Sequence, residues 1–137
     1  MCQYIDVEQI INSLPNPAST LCSHDVNIEF EICLENEEII ESGVTKKMRT
    51  CAAVFNIPDT HYIVFKGIKT NIGVFTKEGV IKNNSFGYVY AYVHNYATQS
   101  HILPIGMKMG VLSIKPYHDV CGLHPNNTTR RLSHDDI

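Results

Sequence analysis

The residue types best suited to chemistry lie in several separate stretches of this chain. His118, Cys121 and His124 recur at three-residue spacing, and imidazole and thiolate are ligands that zinc favours. A closed zinc site needs a fourth ligand in fixed geometry, and Cys22 and His24 reach the cluster only through folding. The expectation is a partly ordered tail and no metal. Lys66, Lys69, Lys77 and Lys82 are cations of the kind that hold phosphate oxygens, although a solvated loop surface uses the same residues. Arg130-Arg131-Leu132-Ser133 matches the pattern of basic-directed kinases. Ser133 is therefore a candidate phosphosite, where a phosphate adds nearly two negative charges. The last residues, Asp135-Asp136-Ile137, pair a carboxylate with a terminal apolar side chain. Asp135 and Ile137 thus form a candidate ligand for an exposed sheet edge, as in PDZ recognition.

Bulk properties narrow the function classes. The 137 residues carry a formal net charge of −3, so electrostatics give no reason to expect nucleic acid or an acidic membrane as partner. No apolar run approaches the ~20 residues of a membrane helix. Five cysteines, an odd count at irregular spacing, and no secretory leader suggest reduced thiols in an intracellular, unsecreted protein.

The elements that must position these residues are mostly strands. Asp6 to Leu14 reads as a short helix capped by Asp6, with Val7, Ile10, Ile11 and Leu14 on one face. From Val26 to Leu34 apolar and polar residues alternate, the mark of a half-buried strand. Ile39-Ile40, Cys51–Ile57, Tyr62–Phe65, Ile102–Ile105 and Met109–Ile114 give further short strands, with Pro58-Asp59-Thr60 and Gly106 at turns. Phe86–Tyr96 stands apart. Val89, Ala91 and Val93 form one face, and Tyr88, Tyr90, Tyr92 and Tyr96 the other. A strand apolar on both sides must be covered on both, so the tyrosines are expected in the core or against another subunit. The chain divides into a helical segment (1–20), a β domain (21–116) and a polar tail (117–137). The class is an all-β sandwich or barrel.

The stretch from Gly79 to Pro116 resembles the trimeric dUTPase family. That family carries Gly-Val-Ile-Asp-x-Asp-Tyr-x-Gly, then a strand ending in Asn, a Lys/Arg-Gly turn, and a strand bearing Ala-Gln-Leu. Here the chain reads Gly79-Val80-Ile81-Lys82-Asn83-Asn84-Ser85-Phe86-Gly87, then Tyr88–Val93 with His94-Asn95, then Ile105 to Ile114. Upstream, Ile57-Pro58-Asp59-Thr60-His61-Tyr62 is similar to an Ile-Pro-x-Gly-x-Tyr turn, and Ser23-His24-Asp25-Val26 to a degraded Gly-Tyr-Asp-Leu. The resemblance implies a distorted jelly roll, here joined to the short N-terminal helix read above, a homotrimer, and sites between subunits that use Mg²⁺.

The resemblance also implies that the chemistry is gone. The family's base, an aspartate, is matched by Lys82, an ammonium with no lone pair to accept a proton. The tyrosine that stacks on the deoxyribose is matched by Ser85, which offers no flat apolar face. The Arg-Ser pair of the second motif falls in Lys66–Asn71, where lysine loses the bidentate fork of arginine. The glutamine of the fourth motif falls on Val111, and the tail lacks Gly-Gly-Phe-Gly. No catalytic residue is expected. Asp25, Lys66, Lys69 and Lys82 remain as candidate nucleotide or phosphate contacts. The expected function is a non-catalytic, viral, homotrimeric interaction or structural protein, with partners at the Lys66–Asn71 and Lys82–Phe86 loops or the tail, and no cofactor. The alternative is a divergent nucleotide phosphohydrolase, using Mg²⁺ with Asp25, Asp59 or Glu78, or a nucleotide-binding sensor.

Overall fold

Alternation of apolar and polar residues turns most of the chain into strands. The structure, a computed structural model, describes residues 3–14 and 28–117. In chain order these are β1 (Gln3–Asp6), α1 (Val7–Asn12), β2 (Ile28–Cys33), β3 (Glu38–Ile40), β4 (Thr45–Phe55), β5 (His61–Gly67), β6 (Val74–Thr76), β7 (Gly79–Ile81), β8 (Gly87–Asn95), β9 (His101–Leu103) and β10 (Lys108–Pro116). They form a sheet of order β1-β4-β8-β6, a second of order β2-β10-β5-β7, and the pair β3-β9. Inward residues of both sheets meet in one core, among them Met48, Val54, Val89, Ala91 and Val93 from the first and Ile32, Ile63, Phe65 and Leu112 from the second. This is an all-β architecture, with one short helix among the described residues.

The helix forms where expected. Asp6 caps it, its Oδ1 accepting from the Gln9 backbone N–H at 3.1 Å. Its Oδ2 accepts from Asn56 Nδ2, also at 3.1 Å. Val7 and Ile11 enter the core, with Ile10 packed against it. The strand before the helix is an addition to the sequence reading. Gln3–Asp6 runs parallel to Ala52–Phe55, and four residues are too few for a period of two to show. β6 and β7, of three residues each, are likewise additions to the sequence reading.

Close approach explains two glycines. Gly67 and Gly110 face each other across β5 and β10. A Cβ at Gly110 would run into the Phe65 ring and the Lys66 carbonyl, and one at Gly67 into the Thr76 carbonyl. Thr76 uses that space: its Oγ1 donates to the Met109 carbonyl at 2.8 Å and accepts from the Ile68 N–H at 2.5 Å. The contact holds β6 of the first sheet against the second.

β4 changes partners along its length. Thr45 to Arg49 pair with β8, the register then shifts, and pairing resumes at Ala53 opposite Tyr88. In the gap, Thr50 bridges Leu34, just beyond β2. The Thr50 hydroxyl donates to the Val89 carbonyl at 2.7 Å, satisfying a ladder group that the bulge leaves open.

Candidate functional site

Where β7, at the edge of the second sheet, meets β8 of the first, the sheets part around a cavity of about 310 Å³. Val54 and Phe65 contribute apolar side chains to it. Gly79, Val80 and Ile81 supply one wall, Tyr88, Tyr90 and Tyr92 another, and Lys77, Glu78, Ser85 and Phe86 also line it. The lining is mainly apolar and aromatic with a few charged groups, a composition typical of small-molecule sites.

Local bonds hold the loop between β7 and β8. The Ser85 N–H donates to the Lys82 carbonyl at 3.3 Å. Asn84 sits at φ 70° and Gly87 at φ 119°, left-handed conformations that asparagine tolerates and glycine adopts freely. Asn83 Nδ2 donates to Asp59 Oδ1 at 2.8 Å, tying the loop to the turn at residues 58–60. On the other side of the cavity, the Lys77 N–H donates to the Tyr92 carbonyl at 2.9 Å.

The structure brings together only part of the residue set read from sequence. Lys77, Glu78 and Ser85 line the cavity. Lys82 follows β7 and begins the loop, half-buried. Lys66 is exposed on β5 opposite Val111. Lys69 is exposed too, with its Nζ 5.7 Å from the centre of the Phe75 ring. Lys66, Lys69 and Lys82 are not among the lining residues. Asp59 is engaged by Asn83. Asp25, Ser133, Asp135, Ile137 and the His118–His124 cluster lie outside the described residues.

The tyrosine ladder departs from one expectation. Tyr88, Tyr90, Tyr92 and Tyr96 are 37%, 43%, 49% and 62% exposed, so within one chain this face is surface and not core. The opposite face, with Val89, Ala91 and Val93, takes the core role. Two residues not singled out in the sequence complete the ladder. The Arg49 guanidinium lies 3.7 Å from the centre of the Tyr88 ring, and Lys47 Nζ 4.7 Å from that of Tyr90. Both are diagonal neighbours across β4 and β8, since Arg49 stands opposite Tyr90 and Lys47 opposite Tyr92. The alternation of Lys47 and Arg49 with Met48 was the available signal, once a strand had been assigned there.

Two titratable groups at the start of β5 are shifted by burial. The imidazole of His61, 1% exposed, is pushed below its ordinary value, and the Tyr62 hydroxyl is pushed above its own. Among the described residues, no group of three or more His, Cys, Asp or Glu side chains gathers as a metal site. None of the described helices is long and apolar enough to cross a membrane.

No family model and no curated protein sequence matches the chain. Solved structures do. A mutant dUTPase from phage phi11 of S. aureus, described with a structural Mg(II) ion, superposes with TM-score 0.59 at 14% identity, covering 69% of this chain and 80% of that one. A mutant dUTPase of Staphylococcus bacteriophage 80alpha, with dUpNHpp, gives TM-score 0.59 at 14% identity over 69% and 73%. The EIAV dUTPase gives TM-score 0.56 at 18% identity over 84% and 91%. Superposition across most of each chain, together with two curled sheets, the short helix α1 and the β7–loop–β8 unit, shows that this chain has the dUTPase-like jelly-roll fold.

Proposed function

We propose that the chain uses a dUTPase-derived scaffold for binding rather than for hydrolysis, as a homotrimeric interaction or structural protein of viral origin. The observation that carries this reading is the residue that begins the loop after β7. The resemblance calls for a carboxylate base there, and the chain supplies Lys82. An ammonium group attracts a phosphate but has no lone pair with which to take a proton from water. Ser85 at the cavity removes the flat ring that would support a sugar. The exposed tyrosine ladder supports self-association, because amphipathic aromatic rings are favoured at protein interfaces. The Lys66–Asn71 and Lys82–Phe86 loops and the C-terminal tail are the surfaces offered to other partners.

A second reading has one observation in its favour: Glu78, a carboxylate, lines the cavity beside Lys77. A divergent phosphohydrolase with Glu78 as base would need Mg²⁺. A nucleotide sensor would keep the cavity, which is near the lower end of ligand-pocket volumes, without turnover. The deciding experiment measures pyrophosphate release from a panel of deoxynucleoside triphosphates with Mg²⁺, on protein whose solution mass is recorded in parallel. The expected result is a trimer with no turnover. Turnover abolished by Glu78→Gln would overturn the binding-only reading, and a monomer would overturn the trimer.

A further inference from the structure

We propose that Cys33 and Cys51 form a covalent modification site, a cross-strand dithiol that a low-molecular-weight disulfide of the glutathione class closes to a disulfide bond. The register puts them face to face. Leu34 and Thr50 are antiparallel bridge partners, so the next residues along, Cys33 and Cys51, oppose each other. Leu34 and Thr50 are buried in the core. Alternation therefore turns Cys33 and Cys51 together to the outer side, where both are free and partly exposed. Directly opposed residues of an antiparallel pair have Cα atoms roughly 4.5–5.5 Å apart, inside the span of about 4.4–6.8 Å that a disulfide bridges. The two thiols are close enough for Cys51 to disfavour the Cys33 thiolate.

The chemistry balances without a metal. The Cys51 thiolate attacks one sulfur of the reagent, releasing one small thiol and leaving a mixed disulfide on Cys51. Cys33 then gives up its proton, and its sulfur attacks the Cys51 sulfur, releasing the second small thiol. Two protein thiols are oxidised and one reagent disulfide is reduced to two thiols. Burial, with Cys51 and Glu31 nearby, holds the Cys33 thiol above its ordinary value and so lowers its thiolate fraction.

The location gives the bond a consequence. Cys33 ends β2 of one sheet, and Cys51 sits in the bulge of β4 in the other. Oxidation fastens the two sheets together three residues before Val54, which lines the cavity. The test treats the full chain with oxidised glutathione and maps disulfides in a non-reducing digest by mass spectrometry. A parallel sample carries Cys2→Ser, Cys22→Ser and Cys121→Ser, which leaves only this pair. The expected result in both is a peptide linking Cys33 to Cys51, a Tm raised by roughly 6–12 °C, and reversal of both by dithiothreitol. Two free thiols, two separately glutathionylated cysteines, or exclusive pairing with other cysteines would overturn the proposal.

Discussion

Asn95 ends β8 as a fully buried polar side chain, and its removal has a cost that follows from its bonds. Nδ2 donates to the Ile40 carbonyl at 3.0 Å and to the Gln99 carbonyl at 2.9 Å, while Oδ1 accepts from the Ala97 N–H at 2.8 Å. One side chain therefore joins β3, β8 and the turn that follows β8. Asn95→Ala removes three hydrogen bonds, each worth about 1 kcal/mol net. It also leaves the carbonyl of Ile40, a fully buried residue, without this donor. The loss is about 3–4 kcal/mol, or a Tm lowered by roughly 10–15 °C for a chain of this size. Urea titration followed by tyrosine fluorescence and circular dichroism measures it, since the chain has no tryptophan. Asn95→Asp keeps an acceptor for Ala97 but sets a carboxylate against two carbonyls, and is expected to cost at least as much. A loss below about 1 kcal/mol for Asn95→Ala would refute the argument that these three bonds fasten the turn.

Two further substitutions test the packing and the protonation of the fold. Gly110→Ala pushes a methyl group into the Phe65 ring and the Lys66 carbonyl and is expected to cost about 2–3 kcal/mol. Gly79→Ala, whose added Cβ meets nothing within 4 Å, serves as a nearly neutral control in the same urea titration. His61 makes stability depend on pH. Burial lowers its folded-state value, so as pH falls the unfolded chain takes up the proton first. Its contribution is present above the ordinary histidine value of about 6.5 and is lost as pH drops below it. Unfolding free energies measured from about pH 7 down to about 5 are expected to fall less steeply in His61→Gln than in the wild type. Equal slopes would show that His61 is not the group responsible.

Strands with long alternation were legible in the sequence because a period of two repeats several times. β2 and β8 are such cases, and the Asp6 cap announced α1 in the same way. β1, β6 and β7 were not: each is three or four residues long and is held by pairing with a strand distant in sequence. The first half of β4, Thr45 to Arg49, is almost wholly polar apart from Met48. Its place beneath the tyrosine ladder comes from pairing with β8, which no local signal records. The loop after β7 was legible in position but not in its attachments, since the bond from Asn83 to Asp59 spans 24 residues. Lys77 and Glu78 reach the cavity because the chain passes from one sheet to the other at that point. Lys66 and Lys69, close in sequence, are carried away from it by the course of β5 and the turn beyond.

β10 lies between β2 and β5 and is hydrogen-bonded to both. The last of the described strands is therefore an inner strand of its sheet. While the chain is being synthesised, β2 and β5 must wait with unpaired edges until Lys108–Pro116 has emerged, and β2 waits the longer. Pairing across so many intervening residues is slow because the loop must close before any contact offsets it. The glutamates at 29 and 31, on the exposed side of β2, place like charges on the edge that waits longest, where they oppose premature pairing between nascent chains.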